Sequence, residues 1–476
     1  MQHVDVAVIG AGVSGASIAR NLSAYEIDVA LLEKEADVSF GVSKANSGII
    51  HGGFHHSTKH LKARLEIQGN LMFDRLAREL DFPFKRSGIL VVALKDEDMK
   101  YIDHLFTQGQ ENGAIGIELC SRDRMFELEP KLNPDCVGGL HAPSGGIVEP
   151  YRFVFSMVES AQKNGVEVMT GFEVARAEPL ATGYRVHAAD GRSIEADYVI
   201  NAAGLYADKV SAVFGAEEFE IHPRKGEYYI LDRQTKASPE KVLFPVPTKV
   251  SKGMLVIPTA EGTVLLGPTA EEIDDKEDVA TSADHLDHIF DAARKMMPVV
   301  SQNDVITSYA GLRPTMSQGD FYIDISEKAP NFIQVAGIQS PGLTAAPAVG
   351  EYAKNLLKKA GATLTEKSDW DPFVTKVPRI RDAGPFEADT LVQQRPEYGN
   401  VVCRCEEISE AEIVEAIRRG HTTLDGVKYF TRAGMGRCQG GFCSYKIMKI
   451  IMRETGMSYD RITKRGAGSE MLMGTL

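Results

Sequence analysis

The sequence predicts an α/β protein in which a nucleotide domain built on a parallel sheet is interrupted by a more β-rich domain and followed by a small helical module. Three observations carry that expectation: a glycine-rich turn between an apolar strand and a helix at the N-terminus, alternating strand-like pieces in the middle, and four cysteines between positions 403 and 443. The chain has 476 residues, length for roughly three domains. Apolar residues at 43% and charged residues at 25% are ordinary globular usage and exclude a disordered or fibrous chain. With 53 basic and 66 acidic residues the net charge is −13, which disfavours general nucleic-acid binding. A small anionic substrate stays compatible, because a few cations in a cleft outweigh a distant surface charge. No apolar run approaches the roughly 18–20 residues that span a bilayer, and the start Met1-Gln2-His3-Val4-Asp5 lacks the basic region of a signal peptide. A cytoplasmic location is therefore expected, with any membrane association peripheral and through a partner. Disulfides are rare there, so the six cysteines call for another use.

The first element is the strand containing Val4, Val6, Val8 and Ile9, and Val29-Ala30-Leu31-Leu32 forms the second, with an amphipathic helix between them. Gly10-Ala11-Gly12-Val13-Ser14-Gly15 occupies the turn. In a GxGxxG turn Gly10 makes the tight bend, Gly12 admits a pyrophosphate to the backbone, and Gly15 lets helix and strand pack closely. Glu33 closes the second strand, placed to hydrogen-bond ribose hydroxyls and to repel a 2′-phosphate. The turn alone does not separate FAD from NAD.

Next comes Asn46-Ser47-Gly48-Ile49-Ile50-His51-Gly52-Gly53-Phe54-His55-His56, followed by His60. The 51/55 and 56/60 spacings would place histidine pairs on one helix face as metal ligands. Gly52 and Gly53 oppose that, each destabilising a helix by roughly 1 kcal/mol. His51, among small residues that permit approach to a flat ring, is the acid–base candidate, against the alternative of a satisfied loop histidine. His55, His56 and His60 are expected to be surface or packing residues.

Segments around 160–204 and 330–360 again mix apolar strands with helices. Between them lie strand-like pieces such as Tyr228-Tyr229-Ile230-Leu231 and Met254-Leu255-Val256-Ile257. Pro372, Pro378, Pro385 and Pro396 punctuate a charged stretch read as a linker or wrapped connection. After it, Ser409 and Glu412 form a capping box, Ile413, Ala416 and Ile417 supply an apolar face, and Gly420 ends the helix. The glycine-rich final 20 residues, with Gly466, Gly468 and Gly474, read as a tail or interface arm.

Cys403-Arg404-Cys405, then 32 residues, then Cys438-Gln439-Gly440-Gly441-Phe442-Cys443 is a four-thiolate pattern that suits zinc or an iron–sulfur cluster. The single residue between Cys403 and Cys405 leans away from zinc knuckles, which space their cysteines by two to four residues. Degenerate or redox-active thiols are the remaining alternative. Cys120 and Cys136 stand apart as isolated small hydrophobes.

The N-terminal fingerprint, Asn46–Gly53, His60-Leu61-Lys62-Ala63-Arg64-Leu65, Asn201-Ala202-Ala203-Gly204, Gly311-Leu312-Arg313-Pro314 and Val335–Thr344 together resemble the FAD-dependent oxidoreductase family that includes D-amino-acid oxidase. Within it they are most similar to glycerol-3-phosphate dehydrogenases and oxidases and to L-2-hydroxyglutarate dehydrogenases. The segment Thr431–Gly440 resembles the bacterioferritin-associated-ferredoxin-like [2Fe–2S] domain, which also ends the large subunit of anaerobic glycerol-3-phosphate dehydrogenase.

These resemblances imply a Rossmann-like FAD-binding domain (about 1–80, 145–215 and 310–360), a β-rich substrate or cap domain (about 81–144 and 216–309), a linker (361–400), a [2Fe–2S] domain (401–455) and a tail (456–476). They imply FAD contacts from Gly10, Gly12, Val13, Ser14, Gly15, Glu33, Lys34, Asn46, Ser47, Val174, Ala203, Gly204, Gly311, Gly337, Gly342, Leu343 and Thr344. Substrate contacts are implied for Ser47, Arg313 and Ser340, proton transfer for His51 and for Lys252 or its near neighbour Lys249, and cluster ligation for Cys403, Cys405, Cys438 and Cys443. Arg313 is expected in a loop fixed by Gly311 and Pro314. The implied activity is oxidation of glycerol 3-phosphate, with electrons leaving through the cluster to a partner flavoprotein or other acceptor subunit. Oxidation of a 2-hydroxy acid, or electron transfer without a dehydrogenase reaction, are the alternatives.

Overall fold

In the computed structural model, residues 2–246, 253–472 and 474 are described. β1 (Gln2–Ile9) and β2 (Val29–Leu32) run parallel, joined through α1 (Val13–Leu22). β1 also pairs in parallel with the strand Ser193–Asn201, whose last residues pair with Phe332–Ala336. These four belong to an eight-stranded sheet with Val174–Pro179 and Tyr184–Ala188 at one side and Glu167–Met169 at the other. From Val6 to Ile9 β1 is continuously apolar because α1 covers one face and a second apolar cluster with Phe172, Val199 and Phe332 covers the other. The register places Ile9 level with both Leu32 and Asn201, so the carboxyl ends of these strands open on one cleft.

The second sheet has nine strands and is mostly antiparallel. Its longest pairing joins His222–Leu231 to Val305–Thr315. One face packs Val92, Leu243, Val256 and Leu266 on the helix Ala283–Met296; the other packs Phe54, Val91, Phe244 and Ile257 near the helix Met99–Asn112. Val305–Thr315 spans the 309/310 boundary expected between cap and nucleotide domain. It also corrects one expectation: Arg313 sits on this strand, opposite Arg224, and not in a loop. Backbone pairing with a strand about 90 residues earlier overrides the turn propensity of Gly311 and Pro314, and Pro314 faces another proline, Pro223.

The segment 361–400 wraps the nucleotide domain. Glu366 bridges to Tyr25, Lys367 Nζ donates to Asn164 O at 2.7 Å, and Val374 N donates to Glu79 O. The cysteine module then forms a short hairpin, Val401–Cys403 with Ile408–Ser409, and the helices Glu410–Arg418, Leu424–Thr431 and Ser444–Thr455. Ser409 and Glu412 make both halves of the predicted capping box. Ile413, Val427 and Ile447 share one apolar core with Phe153 and Phe155 of the helix Pro150–Lys163. His421 stacks on Phe155 at 4.4 Å and bonds Asp37 at 2.8 Å. The final segment folds back: Ile462 is fully buried, Leu424 N donates to Thr463 O, and Met471 N donates to Ile462 O. The segment is thus anchored on the module by the buried isoleucine.

A buried charge network locks these parts together. Glu406 Oε2 accepts from Arg233 at 2.6 Å and Arg432 at 3.0 Å, with Arg381 at 3.5 Å. Arg432 also donates to Glu149 at 2.6 Å, and Glu261 takes Arg379 at 2.7 Å and pairs with Arg381. Burial pulls the Arg432 guanidinium pKa down, yet Glu149 and Glu406 outweigh it and the net shift is upward. Removing one partner of such a network strands a buried charge, at about 3–5 kcal/mol. Arg432→Met should therefore lower unfolding stability by about that amount in urea titrations; a loss below about 1 kcal/mol would show that the network does not hold the module.

Candidate active site and cysteine centre

The cleft at the strand ends has a volume of ≈ 460 Å³. Its floor is the Gly10–Ser14 turn. Gly10 has φ +100°, and a Cβ there would lie 2.6 Å from Ala202 O. Gly15 lies outside the lining; its Cβ would meet Gly10 O at 1.8 Å, so it sets how closely α1 approaches β1. Val13 N donates to Ser43 Oγ at 2.8 Å. Glu33 is buried and accepts from Ala11 N at 2.7 Å and Glu35 N at 2.9 Å. Burial pushes its carboxyl pKa up, against those two N–H donors.

The wall above the turn is the segment around Asn46–His51. Asn46 Oδ1 accepts from Gly48 N, and Asn46 O accepts from Tyr309 Oη at 2.9 Å. Tyr309 stacks on Tyr228 with centroids 4.8 Å apart, and the Tyr228 hydroxyl lies 2.8 Å from Ser47 Oγ. Burial drives the Tyr309 phenol pKa far up, so it stays protonated as that donor. The His51 backbone is pinned from both ends: its N–H donates to Thr344 Oγ1 at 2.9 Å, and its carbonyl accepts from Asn70 Nδ2 at 2.6 Å. Arg86 in turn holds Asn70 Oδ1 at 2.9 Å. Ser340 Oγ stands 3.3 Å from His51 Nε2.

Arg313 reaches the same cleft, its Nη2 donating to Thr269 O at 3.3 Å. It passes Gly226, where a Cβ would come within 2.6 Å of that nitrogen. Lys34, Val174, Ala203, Gly204, Gly311, Gly342 and Leu343 also line the cleft. Gly337 and Thr344 do not. Gly337 makes a turn at φ +66° beside Met316, and Thr344 acts from beneath by holding His51. Lys249 and Lys252 lie outside the described residues. His55 packs between Phe54 and Phe244, at 4.1 and 5.0 Å.

Sequence reasoning missed Tyr228, Ser43 and Gly226. The strand carrying Tyr228 is readable from its apolar run, but its hydrogen-bond partner Ser47 lies 181 positions away.

The cleft's own walls suit a flavin dinucleotide. A Cβ on Gly12 would have only Ser43 Oγ nearby, at 3.1 Å, so the backbone is open to a close ligand. The first turn of α1 carries no acidic residue, leaving its positive end to a pyrophosphate. Residues 5–356 match the family model described as FAD dependent oxidoreductase. The chain belongs to this family.

As a member, it has the family's FAD-binding fold, and residues 401–453 match the BFD-like [2Fe-2S] binding domain. A glycerol 3-phosphate dehydrogenase of Caloramator mitchellensis is 42% identical over 99% of this chain and 98% of its own. A glycerol 3-phosphate oxidase of Mycoplasma pneumoniae is 32% identical over 78% of this chain and 98% of its own. The FAD-bound L-alpha-glycerophosphate oxidase structure from Mycoplasma pneumoniae superposes with a TM-score of 0.75 at 31% identity, over 79% of this chain and 100% of its own.

The four cysteines of this flavoprotein converge. Cys405 Sγ lies 3.8 Å from Cys403 Sγ and 3.9 Å from Cys438 Sγ, and Cys443 is near enough to Cys403 to push that thiol's pKa up. Cys403 and Cys443 are buried, Cys405 is exposed and Cys438 half-buried. Four thiols in one cluster, two facing the core and two the surface, suit a [2Fe–2S] group that exchanges electrons at its open side. Gly436 leaves room for Cys405, since its Cβ would fall 2.5 Å from that sulfur. No helix among the described residues is long and apolar enough to cross a membrane. Cys438→Ser should abolish the cluster's visible absorbance while FAD content stays unchanged, as quantified after protein denaturation; retention of iron at the parent level would remove Cys438 from the ligand set.

Proposed function

We propose that this flavoprotein is a glycerol-3-phosphate dehydrogenase that oxidises sn-glycerol 3-phosphate to dihydroxyacetone phosphate and passes the electrons through a [2Fe–2S] cluster to a partner acceptor. The observation that carries this reading is the convergence of His51, Ser340, Ser47 and Arg313 on one cleft, in a chain so similar along its whole length to a glycerol 3-phosphate dehydrogenase. Bound FAD supplies the two-electron acceptor and the cluster a one-electron exit.

Arg313 presents a planar cation to the substrate phosphate, and Thr269 O and the gap at Gly226 fix its direction. Ser47, oriented by Tyr228, and Ser340 offer hydroxyls to the substrate. His51 Nε2 takes the proton of the C2 hydroxyl as hydride leaves C2, while Thr344 and Asn70 prevent its backbone from drifting. Lys252, or Lys249, is the proposed second cation near the phosphate. The exposed side of the cysteine cluster, at Cys405, is where an acceptor protein would draw electrons.

Anaerobic addition of glycerol 3-phosphate should bleach the flavin absorbance in a stopped-flow instrument. Bleaching by L-2-hydroxyglutarate alone would replace the substrate assignment, and no bleaching by any small alcohol would remove the dehydrogenase reading. His51→Ala should retain FAD and slow that reduction roughly 10²–10⁴-fold, the usual worth of a general base. Gly226→Ala should displace Arg313 and raise KM for glycerol 3-phosphate by about tenfold or more with FAD content intact; an unchanged KM would place the anion clamp elsewhere.

A further inference from the structure

A second cavity of ≈ 820 Å³ adjoins the flavin cleft and shares with it much of the Gly41–Gly48 segment as well as Lys34, Tyr206 and Gly311. Its walls include that segment with Lys44, the second sheet with Thr263 and Ser308, the cysteine module with Lys428 and Tyr429, and the tail with Arg465. Met435 and Gln439, which flank Cys438, line it as well. A molecule bound there would sit between the flavin cleft and the cysteine centre.

Its charge is unlike that of the whole chain. Seven basic and four acidic side chains line it, in a protein of net charge −13. Three of the bases are already neutralised: Arg432 by Glu149, Lys276 by Asp208, and Lys34 by Glu35 and Glu277. Lys44, Lys428, Lys464 and Arg465 make no ion pair within 4.0 Å among the described residues; of the lining acids, Asp425 acts on Lys44 and Lys428 from a distance and Glu35 on Lys44. Lys44 Nζ rests on the Phe40 ring at 4.6 Å and 5.6 Å from Tyr429, and Lys428 Nζ also lies 5.6 Å from the Tyr429 ring. Burial lowers the pKa of both ammonium groups, against the pull of Asp425 on each and of Glu35 on Lys44. Lys44 and Lys428, half-buried at that cost, are stabilised by an anion that replaces their lost hydration, and Lys464 and Arg465 add two exposed cations to the same lining. The cavity falls in the size range of sites that enclose a whole small molecule. Aromatic rings beside the cations, with Tyr151 5.0 Å from Tyr429, offer a stacking surface as well as charge.

We propose that this cavity binds a phosphate-bearing ligand of nucleotide size, held by Lys44, Lys428, Lys464 and Arg465. The four cations meet the phosphates, and Phe40 and Tyr429 meet the ring. None of these residues belongs to the machinery assigned to substrate oxidation, so the site stands or falls apart from the dehydrogenase reading.

The test is isothermal titration of the full chain, loaded with FAD and cluster, in phosphate-free buffer, with ADP and with pyrophosphate as probes. ADP should bind once per chain with Kd below about 1 mM, and more tightly than pyrophosphate. Lys44→Gln combined with Lys428→Gln should weaken ADP by about tenfold or more, with FAD content and the rate of flavin reduction by glycerol 3-phosphate unchanged. Absence of saturable ADP binding, equal affinity for both probes, release of FAD as ADP binds, or undiminished binding by the double variant would each overturn the proposal.

Discussion

Glu406 is the residue on which the arrangement of this molecule depends. Its carboxylate is almost wholly buried one position beyond Cys405, where an unpaired charge would be prohibitive. It is satisfied by arginines from three separate regions: Arg233 from the turn after His222–Leu231, Arg381 from the wrapped segment and Arg432 from the cysteine module. Arg432 is shared with Glu149 and Arg381 with Glu261, so the network extends beyond Glu406 and ties the three regions to one another. A network of this kind contributes less to net stability than to specificity, since apolar side chains would pack as well but would not fix one orientation.

That fixed orientation matters because the two candidate redox centres lie in different parts of the chain. Electron transfer between them needs a constant, short separation. The module shares an apolar core with the helix Pro150–Lys163, and the carboxylate network adds direction to that non-directional contact. The cleft is held in the same spirit. His51, Ser47 and Asn46 sit on a short segment whose backbone and side chains are gripped by Thr344, Asn70, Tyr228 and Tyr309, all from other elements. A general base on a loop works only when its surroundings stop it wandering, and here they do so through hydrogen bonds across the sheet edges.

The second cavity follows from this closure. Neither the Gly41–Gly48 segment nor the helix Leu424–Thr431 forms a pocket alone; the cationic space exists because the network brings them face to face. Lys44 and Lys428 are 384 positions apart and meet the same aromatic ring, Tyr429.

Interactions spanning a few residues were written in the sequence. The glycine turn between β1 and α1, Glu33 at the end of β2, the Ser409–Glu412 box and the cysteine spacing each encode local geometry, and each appears in the structure at the positions read. The paired glycines after His51 argued correctly against a helix there, and the segment forms none. What the chain alone did not disclose required partners from far away. Arg313 reads as a loop residue until Arg224 pairs with it in a sheet, and Tyr228 reads as strand filler until Ser47 arrives across 181 positions. Nothing local in the glycine-rich tail shows that Ile462 packs into the core. Backbone propensity and motif chemistry act over one turn or one strand, so sequence determined them; burial, long-range pairing and the neutralisation of Glu406 exist only once the chain has closed on itself, and the tertiary structure decided those.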